Sequence, residues 1–235
     1  MKNYSIREDY VPRKTAETFV EDPSEYWNEG RIAASGYYQY YVYQKAAELI
    51  AKNKLRSFLD IGCGYPRKVR DKITPVTRDI TLIDQPSMRR LMECDFPEMK
   101  FIPLDLESMD IIIQEKFDCV VCADVIEHLL NPDSLLSFIK KILSPDGLCV
   151  ISTPERDIER GLNCLHSPKP EHVREWNRKE FVSYLRDSGL EVLEHSVMPK
   201  GKLSWIEYIS LPLITRYLLN KRYAGCQTVV CKALS

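Results

Sequence analysis

Residues 58–64, Phe-Leu-Asp-Ile-Gly-Cys-Gly, constrain the fold more than any other stretch of this chain. An apolar run that carries one acid suits a strand buried on both faces, and strands of that kind belong to parallel sheets covered by helices on either side. Gly62 and Gly64 then let the backbone turn tightly and approach a ligand with no Cβ in the way. A strand leading into such a turn is the pattern of a nucleotide-cofactor site. A plain strand-to-helix turn would look the same, so the rest of the chain has to separate the two.

Downstream, short apolar runs alternate with helical patterns. Strands are predicted at 57–61, 80–83, 100–103, 117–122 and 148–152, with helices near 67–73, 87–93 and 132–143. That order predicts an α/β fold built on a doubly wound, mostly parallel sheet. Asn131-Pro132-Asp133 puts proline in the first turn of the third helix, and Ser144-Pro145-Asp146-Gly147 supplies its stop and the turn into the next strand. A helix at 177–188 closed by Gly189, a strand at 190–197 and a last strand at 227–232 complete a domain placed at 55–235. Residues 1–54 are predicted to form an N-terminal helical cap. Its helix runs from an N-cap at Ser24 to Ile50 and carries Tyr37, Tyr38, Tyr40, Tyr41 and Tyr43, either as a cover on the sheet or as a lid over a ligand.

Two stretches interrupt this order. Residues 153–176 hold Pro154, Pro168, Pro170, His166 and His172, and a loop of that length is expected to serve the active site. Residues 200–225 insert between the last two strands with Trp205, Ile206, Leu213 and Leu218 among their apolar positions. Glu207, Pro212 and Arg216 break that run and argue against a membrane span. A helix packed on the domain is the plain reading, with a homodimer face or a membrane-surface contact as the others.

Charge bounds the partners. Lys and Arg total 33 against 34 Asp and Glu, with no long basic tract, which excludes a DNA-binding face and disfavours RNA. No uncharged stretch reaches the roughly 18 residues of a bilayer span, and residues 1–22 lack a signal-type apolar core, so a soluble cytoplasmic protein is expected. The eight cysteines lie mainly in strand-like segments, which fits reduced thiols. Cys119 and Cys122 have the spacing of a metal pair, yet on one strand they would face opposite sides.

Acids recur where strands end. Asp60, Asp84, Asp105 and Asp124 lie at or just beyond the carboxyl ends of successive strands, the edge where doubly wound sheets bind ligands. An acid closing the second strand can accept from both hydroxyls of a ribose, and one after the third can accept from an adenine amino group.

With Ile83-Asp84-Gln85, Leu104-Asp105-Leu106, the run from Phe117 to Leu129 and Leu143-Ser144-Pro145-Asp146-Gly147, the glycine turn resembles the successive motifs of class I S-adenosylmethionine-dependent methyltransferases. The resemblance covers about residues 55–152 and implies a Rossmann-like, seven-stranded sheet with an antiparallel last strand. It implies that Asp60, Gly62 and Gly64 border the methionine part of the cofactor, that Asp84 holds the ribose, and that Asp105 with the Leu106 backbone reads adenine. Gln85 would lie against ribose or adenine, and Cys122 and Ala123 would meet the methionine amino group through their backbone. Pro66 stands where the family often has a third glycine. It removes a donor that a phosphate would use, which favours S-adenosylmethionine over NAD. Ser152 to Asp157, His172 to Trp176 and Phe181 resemble a bacterial subgroup found beside sugar-polymer or secondary-metabolite genes.

Methyl transfer from a sulfonium is an in-line displacement, so collinear positioning supplies much of the rate. A hydroxyl acceptor must also lose a proton, and His128 and His172 are the candidate bases, with Asp124 and Glu127 able to orient an imidazole or the acceptor. The expected acceptor is a small molecule, with a sugar hydroxyl as the guess by resemblance, and no metal takes part in this leading reading. The alternative uses the same residues as ligands. Asp124-x-x-Glu127-His128 with a distant histidine and a Glu-Trp pair is similar to the magnesium site of small-RNA 2′-O-methyltransferases, although that family usually has Glu at the first position. A non-catalytic member that only binds cofactor or a partner subunit is the remaining reading.

Overall fold

The computed structural model describes residues 3–15, 27–108, 113–204 and 224–234. Seven strands form one sheet in the order β3-β2-β1-β4-β5-β7-β6. They are β1 (Ser57–Ile61), β2 (Asp79–Asp84), β3 (Lys100–Pro103), β4 (Phe117–Ala123), β5 (Leu143–Pro154), β6 (Leu190–Pro199) and β7 (Ala224–Ala233). The first five run parallel, and β7 inserts antiparallel between β5 and β6. The expected mostly parallel sheet with an antiparallel last strand is therefore the observed one, and its order reverses between β1 and β4.

The apolar run of β1 is buried on both faces, as its composition requires. Phe58 packs into one core cluster while Leu59 and Ile61 pack into the other. The Phe58 side is covered by α2 (Tyr40–Asn53), a π-helical turn (Val69–Ile73) and α3 (Arg89–Asp95), through Val42, Ala46, Ile50, Ile73 and Met92. The opposite side is covered by α4 (Pro132–Ile142) and α6 (Arg178–Asp187). Leu135, Leu136, Phe138, Ile139 and Ile142 are all buried on α4, and each such side chain contributes about 1.5–3 kcal/mol on leaving water. Asn177 caps α6 in a reciprocal capping box with Glu180, and Gly189 takes φ +82° just beyond its end.

Several boundaries differ from the sequence expectation. Ser24 lies outside the described residues. The helix expected through residue 50 is broken into α1 (Glu29–Ala34), capped by the Asn28 side chain, and α2. Between them Tyr38 bridges Gly201, and Gln39 takes φ +52°, a conformation that cannot continue a helix. Residues 3–15 are not helical either. They form a strap across the long loop, held by Val11 N–H to Leu165 O at 2.7 Å and Arg13 N–H to Val173 O at 2.8 Å. Residues 144–147 do not separate helix from strand. They bulge out of β5 where its pairing jumps from Phe117↔Leu143 to Cys119↔Leu148. A Cβ on Gly147 would stand 2.9 Å from the Phe117 carbonyl oxygen, so glycine is required there. The 153–176 stretch opens with the end of β5 and a short helix, α5 (Arg156–Glu159), before it becomes irregular.

Residues 205–223 lie outside the described set, and with them the expected homodimer or membrane-surface role of the insertion. Among the described residues no helix is long and apolar enough to cross a membrane.

Candidate active site

A cavity of about 660 Å³ opens at the carboxyl edge of β1, β2 and β4, where the strand order reverses. Sites for small molecules and cofactors usually fall between about 300 and 1,000 Å³. Gly62 and Gly64 form its floor with φ +72° and +54°. A Cβ on Gly62 would collide with Val125 Cγ2, and one on Gly64 would meet the Trp27 ring at 2.8 Å. Asp84 ties this turn to the end of β2, its Oδ2 accepting from Gly64 N–H at 2.7 Å and its Oδ1 from Gln85 N–H at 2.8 Å. Burial raises its pKa, against those two bonds. Gln85, Asp105 and Leu106 continue the same wall, and Ala123 closes it from β4.

One expected cofactor residue does not line this cavity. Asp60 is fully buried behind the turn rather than in the wall, with Oδ2 accepting from the Tyr43 hydroxyl at 2.8 Å. Its Oδ1 has no partner among the described residues, and burial pushes the carboxyl up to about 7 despite Tyr43 and Lys68. The Cys122 side chain points into the core, which leaves only its backbone for the contact expected of it. Sequence reasoning did not single out Trp27, Arg31, Gln39 and Lys68, which all line the cavity. They come from the cap and the first turn after β1, and only the reading of the tyrosine-rich segment as a lid pointed there.

The other end of the cavity is built by the exit of β4. Asp124 sits at φ +53°, its Oδ1 accepting from the Ser152 hydroxyl at 2.6 Å and its Oδ2 from Gln39 Nε2 at 3.1 Å. The next residues form a single 3₁₀ turn (Ile126–His128) that turns Glu127 inward and His128 toward the cavity. Glu127 is fully buried. Its Oε2 accepts from the Thr153 hydroxyl at 3.0 Å, while Oε1 has no partner among the described residues. Burial, followed by the charge of Asp124, holds this carboxyl well above the ordinary carboxylate range.

The long loop closes on this turn. Val173 N–H donates to Glu127 O at 2.8 Å, and the buried Arg174 guanidinium donates to the carbonyls of Leu129 and Leu130 at 2.7 and 3.0 Å. His172 thereby meets His128 edge to face, with ring centroids 4.8 Å apart. His128 Nδ1 donates to Glu171 O at 2.8 Å, and His172 Nδ1 donates to Glu175 Oε1 at 2.6 Å. Burial, then the neighbouring His172, pulls the His128 pKa down to about 4. His128 lines the cavity beside Pro170 and Glu171, with the nearly buried His172 behind it. Ligand-capable atoms of Glu127, His128 and His172 all lie within 4.8 Å of one another. Of the other histidines, His166 is exposed on the loop and His195 sits on β6, apart from the cavity.

A profile of the family described as "Methyltransferase domain" matches residues 35–195, well over half of the chain. The ubiquinone biosynthesis O-methyltransferase of Glaesserella parasuis is 30% identical over 186 residues, covering 71% of this chain and 74% of that one. The small RNA 2′-O-methyltransferase of Schizosaccharomyces pombe is 30% identical over 164 residues, or 55% of this chain. The match spans only 43% of that longer protein. Among solved structures, a TehB-like SAM-dependent methyltransferase from Corynebacterium glutamicum superposes with a TM-score of 0.59 at 21% identity, over 90% of this chain and 97% of its own. That likeness concerns the fold.

Proposed function

The chain belongs to the methyltransferase-domain family, and from that premise we propose that it moves the methyl group of S-adenosylmethionine to a hydroxyl oxygen held between the glycine turn and His128. The observation that carries this reading is one cavity lined both by Gly62, Gly64, Asp84 and Asp105 and by His128. The acids would take the ribose and adenine, and Gly62 and Gly64 would leave room for the methionine arm. Asp60, behind the turn, would brace it through its bond to Tyr43 rather than touch the cofactor. Both curated relatives described above are named O-methyltransferases, which supports oxygen as the acceptor atom. Residues 55–235 would be the catalytic unit and residues 1–54 its cap.

In the transfer, the acceptor oxygen forms its bond to the methyl carbon as the carbon–sulfur bond breaks, and the hydroxyl proton must leave. His128 could accept it through Nε2, the nitrogen its bond to Glu171 leaves over. With a pKa of about 4 it is neutral at physiological pH but a weak base.

A second reading is favoured by a specific observation, the unpartnered and fully buried Oε1 of Glu127 beside two imidazoles, each pinned through Nδ1. One carboxylate and two imidazoles suit a divalent cation, and a bound cation would lower the pKa of an acceptor hydroxyl. Glu127, His128 and His172 would hold it, with Asp124 alongside. This set fits a metal better than the metal-free expectation does. For the acceptor, Asp84, Asp105, Glu107, Asp124 and Glu171 outnumber Arg31 and Lys68 in the wall, which disfavours a polyphosphate strand and supports a small molecule such as a sugar.

Transfer of labelled methyl from S-adenosylmethionine should be measured into nucleotide sugars, phenols and small RNAs, with EDTA and after restoring Mn²⁺. We expect label in a small-molecule hydroxyl, lost with EDTA and recovered with Mn²⁺. Full activity in EDTA would return the proton to His128, label in RNA alone would overturn the small-molecule acceptor, and cofactor binding with no transfer would revive the non-catalytic reading.

A further inference from the structure

Glu175 is fully buried three residues beyond His172 and is held on several sides. Arg160 donates to both of its carboxylate oxygens at 3.0 Å, Ser167 donates its hydroxyl to Oε1 at 2.8 Å, and its backbone N–H donates to the Tyr10 hydroxyl at 3.0 Å. A further contact, at 2.6 Å, is His172 Nδ1. A carboxylate fixed this firmly is a rigid acceptor, and it can hold an imidazole in only one tautomer and one ring orientation. The same loop supplies Glu171 O to His128 Nδ1, so both rings are fastened on one side by one segment. Both leave Nε2 over, and ligand-capable atoms of the two rings and of Glu127, whose Oε1 is unpartnered among the described residues, lie within 4.8 Å of one another.

We propose that Glu175 is a positioning residue of the active site, fixing His172 with its proton on Nδ1 and a bare Nε2 facing Glu127 and His128. The inference rests on the reading that His172 serves the reaction, and it assigns the work of presenting it to a carboxylate that the acceptor never touches. The strap joins this arrangement through Tyr10, and Arg13 donates to the carbonyls of Lys169 and Ser167 at 3.1 and 3.3 Å. Strap, loop and Glu175 together form one clamp on His172.

Long-range nitrogen–proton NMR of ¹⁵N-labelled protein at neutral pH tests this directly, with His172→Gln assigning the resonances. Wild type should show His172 protonated on Nδ1 alone. Glu175→Gln keeps size and shape but offers an amide that can also donate, so it should move proton density to Nε2. S-adenosylhomocysteine affinity should stay within about twofold while Mn²⁺ affinity falls about 10- to 100-fold, the range seen when the partner behind a ligand is lost. A wild-type His172 carrying a proton on Nε2 overturns the proposal even if the variant does not fold. An unchanged tautomer in Glu175→Gln overturns it as well. Absence of Mn²⁺ binding to wild type would instead sink the cation reading, and the tautomer would still decide the role of Glu175.

Discussion

His128 shows how far a single environment can move a side chain. Burial and the adjacent His172 lower its pKa to about 4 from an ordinary 6.5, and burial and Arg178 do the same to His195. The unfolded chain therefore takes up these protons from about pH 6.5, while the folded chain resists until near pH 4. The stabilising contribution is complete above the upper value and is lost as pH falls through the lower one. The raised carboxyls of Asp60, Asp84 and Glu127 act in the opposite sense over the same range, so the readout is the difference between two proteins: His128→Gln should gain stability relative to wild type in denaturant unfolding as pH falls from about 6.5 to 4. Identical slopes in variant and wild type would mean that His128 is not held neutral by the fold. This residue was legible as a candidate because it follows Asp124-x-x-Glu127 at a strand end. Its partner was only half legible, since the 44 positions from 128 to 172 carry no periodicity that says where a loop returns. Nor does an apolar run with an acid in it say which way the acid points, which is why Asp60 was expected in the wall and stands behind it.

At the scale of elements, the 153–176 loop is held in place by buried ion pairs rather than by regular structure. Arg156 is fully buried, donates to both Glu180 carboxylate oxygens at 2.7 and 3.0 Å and to Glu175 O at 3.2 Å, and lies over the Tyr10 ring. Removing one partner of a buried pair leaves the other charge uncompensated, at a cost of about 3–5 kcal/mol. Arg156→Met should lose stability on that scale in denaturant melts, and a loss under 1 kcal/mol would mean that this network does not hold the loop. The strands were readable because buried parallel strands are nearly continuous apolar runs, as in β1 and β4. The helix at the cap was misread because Tyr38 pairs with Gly201, some 160 residues away, and a partner that remote overrides local helical pattern. The bulge in β5 was hidden for a similar reason. Ser144-Pro145-Asp146-Gly147 has turn chemistry, and only the register against β4 shows that the strand starts before it.

For the whole molecule, the reversal of strand order between β1 and β4 brings the ends of those strands and of β2 to one cavity, and the cap and long loop close it from two sides. The series of acids at strand ends carried that much from sequence, because their spacing follows the alternation of strands and helices. The acceptor did not come through, since the far end of the cavity is lined from the cap and the long loop, the least periodic of the described parts of the chain. The central claim is that this cavity takes S-adenosylmethionine, with Asp84 bridging the glycine turn and the ribose. Calorimetric titration with S-adenosylhomocysteine tests it most directly, comparing wild type with Asp84→Ala at matched folded content. A hydrogen-bonding carboxylate is worth about 1.5–3 kcal/mol, so wild type should bind at one site per chain and the variant about 10- to 100-fold more weakly. No binding by the wild type, or equal affinity in the two proteins, would contradict the claim.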